Sequence, residues 1–121
     1  GVNYSDFVYS SLYDCVSAST LDVSEKISPS TFYLYQNYPN PFNPITQINY
    51  QLSKNSHIKI EVYDMMGKLV KTLVNEFQPP GYRSIKWNGQ NFENQKVSSG
   101  VYFYSLQSES FSATKKMILL D

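Results

Sequence analysis

The sequence predicts an all-β domain, and three observations carry that prediction. The chain holds 11 tyrosines and 7 phenylalanines beside many Val, Ile, Ser and Thr residues, the types that fit a pleated, half-buried surface. Apolar and polar residues alternate at period two in several short runs. Clusters of Gly, Pro, Asn and Ser divide these runs at intervals of about eight to twelve residues. At 121 residues there is material for about one domain with one compact core.

The elements follow in order. Residues 1–30 are rich in Ser, Tyr and Asp and end in Ser28-Pro29-Ser30, so they read as a linker or the end of an upstream domain. Within them Tyr9, Leu12, Tyr13 and Val16 match the spacing of a short amphipathic helix with Asp6 as a cap, and the β-branched and aromatic content suits a strand almost as well. The domain proper is expected over residues 31–121. Its first strand is Phe32-Tyr33-Leu34-Tyr35.

Next comes Gln36-Asn37-Tyr38-Pro39-Asn40-Pro41-Phe42-Asn43-Pro44. Each proline fixes its own φ and biases the residue before it toward extended backbone, so the segment is neither helix nor central strand. Pro39, Asn40, Pro41, Phe42, Asn43 and Pro44 therefore form a stiff structural entry loop. Ile48, Tyr50 and Leu52 then alternate with Asn49 and Gln51, and Lys54-Asn55-Ser56 marks a turn.

The clearest strand runs from His57 to Tyr63. Ile58, Ile60 and Val62 point to one face and Lys59 and Glu61 to the other, which predicts one buried and one wet face. Asp64-Met65-Met66-Gly67 closes it with a turn in which Gly67 takes positive φ. Lys68 to Asn75 fits a helical stripe too, but its shortness and its place between turns assign it to a strand. Pro79-Pro80-Gly81 opens the next one, where Arg83, Ile85 and Trp87 share a face and Trp87 is the core anchor.

A polar loop from Asn88 to Lys96 leads to Ser98-Ser99-Gly100. The strand beyond it, with Tyr102, Tyr104 and Leu106 alternating with Val101, Phe103 and Ser105, is apolar on nearly both sides and is expected to be central. Ser108-Glu109-Ser110 makes a tight hairpin. Phe111, Ala113, Lys115, Met117 and Leu119 then share one face of the last strand. About seven antiparallel strands with this spacing predict an immunoglobulin-like β-sandwich.

The same residues argue against several function classes. Ten basic and ten acidic side chains cancel, and neither sign forms a run, so the electrostatic footprint that nucleic acid demands is missing. Met117-Ile118-Leu119-Leu120 is the longest apolar candidate and is far too short to span a bilayer. Cys15 is the single cysteine, which leaves no intrachain disulfide and no multi-cysteine metal site; it has no histidine near it in sequence to activate it. His57 has no second histidine with which to share a metal. The loop from Asn88 to Gln95 carries Glu93 as its only carboxylate, too little charge for a calcium loop. No phosphate cradle, catalytic triad or carboxylate pair is visible, so no enzyme activity, cofactor or metal is expected.

Three motifs, taken together, resemble one family. They are the proline entry from Gln36 to Pro44, the penultimate-strand run Ser99-Gly100-Val101-Tyr102-Phe103-Tyr104, and the terminal run Thr114-Lys115-Lys116-Met117-Ile118-Leu119. Between them lie Val62-Tyr63-Asp64-Met65-Met66-Gly67-Lys68 and Trp87-Asn88-Gly89 in matching order. The chain over residues 31–121 thus resembles the type A C-terminal sorting domain of the type IX secretion system, with departures at Ile45 and Asn88. The resemblance implies a signal at the end of a cargo protein in Bacteroidota-type bacteria. Such cargo reaches the periplasm separately, is recognised by the outer-membrane translocon, and is delivered to the cell surface or exterior, where a sortase-like peptidase commonly removes the domain.

For translocon recognition the expected residues are Gly100, Val101, Tyr102, Tyr104, Thr114, Lys115, Lys116, Met117, Ile118 and Leu119. A terminal strand offers unpaired backbone groups that a partner extends, and Lys115 and Lys116 discourage indiscriminate pairing there. The chain opens on Gly1 with no signal peptide before it, so it is expected to be the C-terminal part of a longer precursor whose upstream part is the cargo. Two alternatives compete. A carbohydrate-binding or adhesion sandwich would use Tyr33, Tyr35, Tyr38, Tyr63 and Tyr82 as a stacking platform. A structural module similar to the immunoglobulin-like domain of flagellar hook-capping proteins would share Trp87-Asn88-Gly89 and Gly100-Val101-Tyr102.

Overall fold

The computed structural model describes residues 29–121 and, before them, only the backbone of the two-residue strands Asn3–Tyr4 and Asp6–Phe7. Tyr9, Leu12, Tyr13, Cys15 and Val16 lie outside the described residues. From Tyr33 onward the chain forms seven strands: β1 (Tyr33–Leu34), β2 (Thr46–Leu52), β3 (Ser56–Asp64), β4 (Leu69–Gln78), β5 (Gly81–Trp87), β6 (Gly100–Gln107) and β7 (Ser112–Leu119). They pair antiparallel in two sheets, ordered β7-β6-β3-β4 and β1-β2-β5. The described residues contain no helix, and the sheets face one another as an immunoglobulin-like sandwich.

Period-two alternation places the core. Ile58, Ile60 and Val62 of β3, Tyr104 and Leu106 of β6, and Met117 of β7 are fully buried from one side. Ile48, Tyr50 and Leu52 of β2, Leu34 of β1 and Trp87 of β5 meet them from the other. Each aliphatic side chain so buried contributes about 1.5–3 kcal/mol. The expected central strand is central, since β6 pairs with both β3 and β7. Trp87 packs edge-on against Tyr102 at 5.4 Å and tilted against Phe42 at 5.8 Å, so the anchor expected from the sequence joins β5, β6 and the entry loop.

Two features differ from the alternation pattern, each for a local reason. The outer face of β3 is not wholly wet: Glu61 is only 9 % exposed because Tyr63 covers it. The Tyr63 hydroxyl donates to Glu61 Oε1 at 2.6 Å, and the Thr72 hydroxyl reaches Oε2 at 3.4 Å. In β4 the buried positions are Val70, Val74 and Gln78, four apart where a regular strand gives two. The pairing of β3 with β4 slips twice, between Ile60 and Glu61 and between Val62 and Tyr63. Each bulge adds a residue and turns the following side chains to the other face, so alternation is broken across Leu69, Val70, Leu73 and Val74, which also fit a helical stripe; from Val74 to Gln78 the register is regular and Glu76 between them is exposed.

Turn chemistry closes the strands. Gly67 takes φ +86 as expected, its N–H donates to the Asp64 carbonyl, and Asp64 Oδ1 accepts the N–H groups of Met66 and Lys68. After β5 the Trp87 indole N–H donates to the Gln90 carbonyl at 2.9 Å. Gly89 takes φ +75 there, in a place where an added Cβ would lie 3.3 Å from the Pro44 carbonyl oxygen and against Leu119. Asn91 Oδ1 accepts the N–H groups of Glu93 and Gln95, so the Asn88–Lys96 loop is held by its own asparagine.

The two glycines predict different penalties. Gly67→Ala carries only the backbone strain of positive φ, about 1–2 kcal/mol. Gly89→Ala adds a tight 3.3 Å contact with the Pro44 carbonyl oxygen and is expected to cost about 1 kcal/mol more, as read by urea unfolding of the two variants beside the parent chain.

Candidate functional site

The entry loop and the terminal strand, far apart in sequence, form one structure. The link starts at Tyr104 in β6. Its ring is buried between the sheets, and its hydroxyl donates to the Tyr35 carbonyl at 2.7 Å and accepts the Asn37 N–H at 2.8 Å. Burial pushes this phenol up to about 12, against the opposing effect of the Asn37 N–H. The hydroxyl is therefore a neutral two-way connector at ordinary pH.

Asn37 carries the connection onward. Its Nδ2 donates to Thr46 Oγ1 at 2.9 Å and to the Pro39 carbonyl at 3.1 Å, and Thr46 Oγ1 donates to the same carbonyl at 2.9 Å. Gln36 Nε2 donates to Asn37 Oδ1 at 2.7 Å. Both Asn37 and Thr46 are buried, and this network satisfies polar groups that are expensive to leave unpaired. The peptide bonds at Tyr38-Pro39, Asn40-Pro41 and Asn43-Pro44 are cis.

From there the loop lies along the outer edge of β7. Phe42 N–H donates to the Ile118 carbonyl at 3.0 Å, and Leu120 N–H donates to the Phe42 carbonyl at 2.8 Å. Asn40 Oδ1 accepts the Ile118 N–H at 3.0 Å, and Gln36 Nε2 donates to the Lys116 carbonyl at 2.7 Å. The Phe42 side chain is buried and completes the core under Trp87. The entry loop is thus an edge cap as well as a stiff entry.

That cap covers half of the edge. Backbone groups alternate in direction along a strand, and it is the even-numbered residues of β7 that face away from β6. Lys116, Ile118 and Leu120 meet the loop; no described residue pairs with the outward backbone groups of Ser112 and Thr114. The expectation of a free terminal edge is corrected to an edge open only at its N-terminal half.

The ten residues expected at the recognition site come together, because β6 and β7 are adjacent. Gly100 is opposite Leu119, Val101 opposite Ile118, Tyr102 opposite Met117 and Tyr104 opposite Lys115. Their exposure divides them. Tyr102, Tyr104, Met117 and Leu119 are core residues, Thr114 and Lys116 are exposed, and Gly100, Val101, Lys115 and Ile118 are half-buried. The Tyr102 hydroxyl bonds back to the Ser98 carbonyl at 2.5 Å, a structural role like that of the tyrosine corner of immunoglobulin-like domains. Phe103, opposite Lys116 on the outer face, and the capping residues Gln36 and Asn37 were not among the expected site residues, and Asn40 was expected only as part of the entry loop. Their signal was the carboxamides flanking the prolines.

Other chemistry is sparse among the described residues. They hold no cluster of three or more His, Cys, Asp or Glu side chains placed for a metal, and no helix long and apolar enough to cross a membrane. His57 packs edge-on against Phe77 at 5.2 Å. Of the tyrosines taken as a stacking platform, Tyr63 belongs to the opposite sheet and is engaged with Glu61, whose hydrogen bond raises its pKa.

Comparison with known proteins agrees with this architecture. Residues 36–120 match the family described as the secretion system C-terminal sorting domain. None of the curated proteins matches the chain. Among solved structures, latent dimeric PorU of Porphyromonas gingivalis aligns at TM-score 0.59 and 22 % identity over 78 % of this chain and 10 % of its own. PorZ, a surface component of the type IX secretion system of the same organism, aligns at 0.51 and 20 % over 74 % of this chain and 11 % of its own. This chain spans about a tenth of the length of each, and at such identity the likeness is one of fold.

Tyr104→Phe tests the connector. It leaves the Asn37 N–H and the Tyr35 carbonyl without their partner and is expected to cost about 1–3 kcal/mol in urea unfolding at neutral pH. A second signature is alkaline. The folded-state pKa is raised above the ordinary 10.0, so the unfolded state loses this proton first, and stability present below pH 10 falls as pH rises toward about 12. The parent chain should lose on the order of 2–3 kcal/mol over that window that the phenylalanine variant does not lose.

Proposed function

This chain belongs to the family of secretion system C-terminal sorting domains, and from that premise we propose how it directs a larger protein through the type IX pathway to the cell surface or exterior. The observation that carries the proposal is the reach of the family match. It runs from Gln36 to Leu120, and so takes in both the entry loop and the strand edge on which that loop sits. Residues 31–121 act as the sorting unit in this account, and residues 1–30 join it to the cargo.

The recognised surface is the exposed side of β6 and β7, Thr114, Lys116 and the half-buried Val101 and Ile118, with Lys115 at the rim of the inner face opposite Tyr104. The open backbone at Ser112 and Thr114 offers a partner strand a place to pair. The buried members of the motif, Tyr102, Tyr104, Met117 and Leu119, hold that surface in register and do not themselves touch a partner. The partners are the outer-membrane translocon, met from the periplasmic side, and a sortase-like peptidase that acts after passage. The domain does this as a binding signal without catalysis.

A reporter fused ahead of residues 31–121 in a bacterium with a type IX system tests this. Removing residues 114–121 is expected to trap the reporter in the periplasm. Lys116→Glu changes an exposed charge and leaves the core intact, and should lower surface delivery about ten-fold if the surface meets acidic partner groups. Lys54→Glu makes the same charge change in the β2–β3 turn and should leave delivery unchanged. Normal export of both the truncation and Lys116→Glu would refute the assignment.

A further inference from the structure

The outward face of the three-stranded sheet carries a regular grid of side chains that the sorting role does not use. Register places Tyr33 beside Gln51 and Gln51 beside Tyr82. One step along, the Tyr35 N–H bonds to the Asn49 carbonyl, and Asn49 lies beside Ser84. A further step brings Tyr38 to Gln47 and Gln47 to Lys86. Cross-strand neighbours share a face. The edge column is therefore all tyrosine, the central column all carboxamide, and Tyr82 stands at the far corner.

The fold does not call for these rings. Tyr38 is 78 % exposed and Tyr82 is 66 % exposed, and neither contributes to the core. Yet the face is held in shape. Tyr33 and Tyr35 pack edge to face at 4.7 Å, the Tyr35 hydroxyl donates to Gln51 Oε1 at 2.6 Å, and Gln47 Nε2 donates to Asn49 Oδ1 at 2.9 Å. Between Tyr35 and Tyr82 lies an open depression of about 650 Å3, lined also by Asn49, Arg83 and Ser84. Asn49 Nδ2 and the Ser84 hydroxyl make no hydrogen bond to a described side chain or backbone group.

We propose that this face is a binding site for a neutral polysaccharide. A sugar ring presents an apolar C–H face that stacks on tyrosine, and hydroxyls at its rim that pair with groups able both to donate and to accept, as carboxamides do. The grid holds no carboxylate and so is not matched to a cation; its charges are Lys86 and, lining the depression, Arg83, and the salt dependence of binding separates a neutral polymer from a polyanion. The grid holds no aliphatic side chain, unlike a groove built for an amphipathic helix. Rings and amides already fixed by their own hydrogen bonds reduce the ordering cost of binding. The role is separate from sorting, and it is read on the isolated chain without export.

The test is affinity electrophoresis of the 121-residue chain through gels containing a soluble β-glucan, a galactomannan or a xylan, with alginate as an anionic probe. At least one neutral polymer is expected to retard the chain, with no loss of retardation in high salt. Tyr35→Ala and Tyr82→Ala should each weaken binding about ten-fold, the loss of one stacked ring. Tyr63→Phe, on the opposite sheet, should bind as the parent does. On the parent chain itself, the glycan that retards it should shift the amide resonances of Tyr33, Tyr35, Asn49, Tyr82 and Ser84. The proposal is overturned by no retardation in any of the three neutral polymers, by retardation in alginate alone that salt abolishes, or by parental binding of both alanine variants. It is equally overturned if those resonances move with protein concentration and not with glycan, which would assign the face to a second copy of the chain.

Discussion

The buried hydroxyl of Tyr104 is the fixed point from which the far side of the domain is organised. It satisfies one carbonyl and one N–H of the segment that follows β1, two groups that would each cost about 1–3 kcal/mol if buried alone. Because Tyr35 and Asn37 are held there, the proline segment leaves the first sheet in one direction only. The stiffness of the prolines then carries Asn40 and Phe42 to the edge of the last strand, where four hydrogen bonds receive the loop. Gly89 is kept free of a side chain at the point where Pro44 and Leu119 close on it.

This closure bears on how a folded signal works at the end of a chain. An edge strand is a template for unwanted pairing, and proteins blunt it with prolines, charges or a covering segment. Here the covering segment comes from the start of the same domain and protects Lys116 to Leu120, while no described residue covers Ser112 and Thr114. In the proposed sorting role, a short open stretch next to Lys115 and Lys116 limits chance pairing and leaves room for one selected partner strand. The family match likewise takes in both ends of the domain, from the entry loop to the terminal strand.

Much of the fold was legible in the sequence, because alternation and turn chemistry act locally. All seven strands, the central place of β6, the positive φ of Gly67 and the anchoring role of Trp87 followed from short patterns. What could not be read was non-local. The two bulges in β4 depend on pairing with β3 and break the alternation across Leu69, Val70, Leu73 and Val74, a spacing that also fits a helix. Glu61 looked like a wet-face residue, and only its neighbours Tyr63 and Thr72 explain its burial. The residues expected at the recognition site lie on adjacent strands, but their division into core and surface members, and the cap that Gln36, Asn40 and Phe42 provide, depend on contacts across some eighty residues of sequence.

Native-state amide hydrogen exchange tests the central claim, the half-closed terminal edge, in one experiment. The amides of Asn37, Phe42 and Ile118, which donate to Tyr104, to Ile118 and to Asn40, should be protected to within about ten-fold of core amides such as Ile60. The outward amide of Thr114 should exchange far faster. Fast exchange at Asn37, Phe42 and Ile118, or protection of Thr114 equal to theirs, would contradict the account.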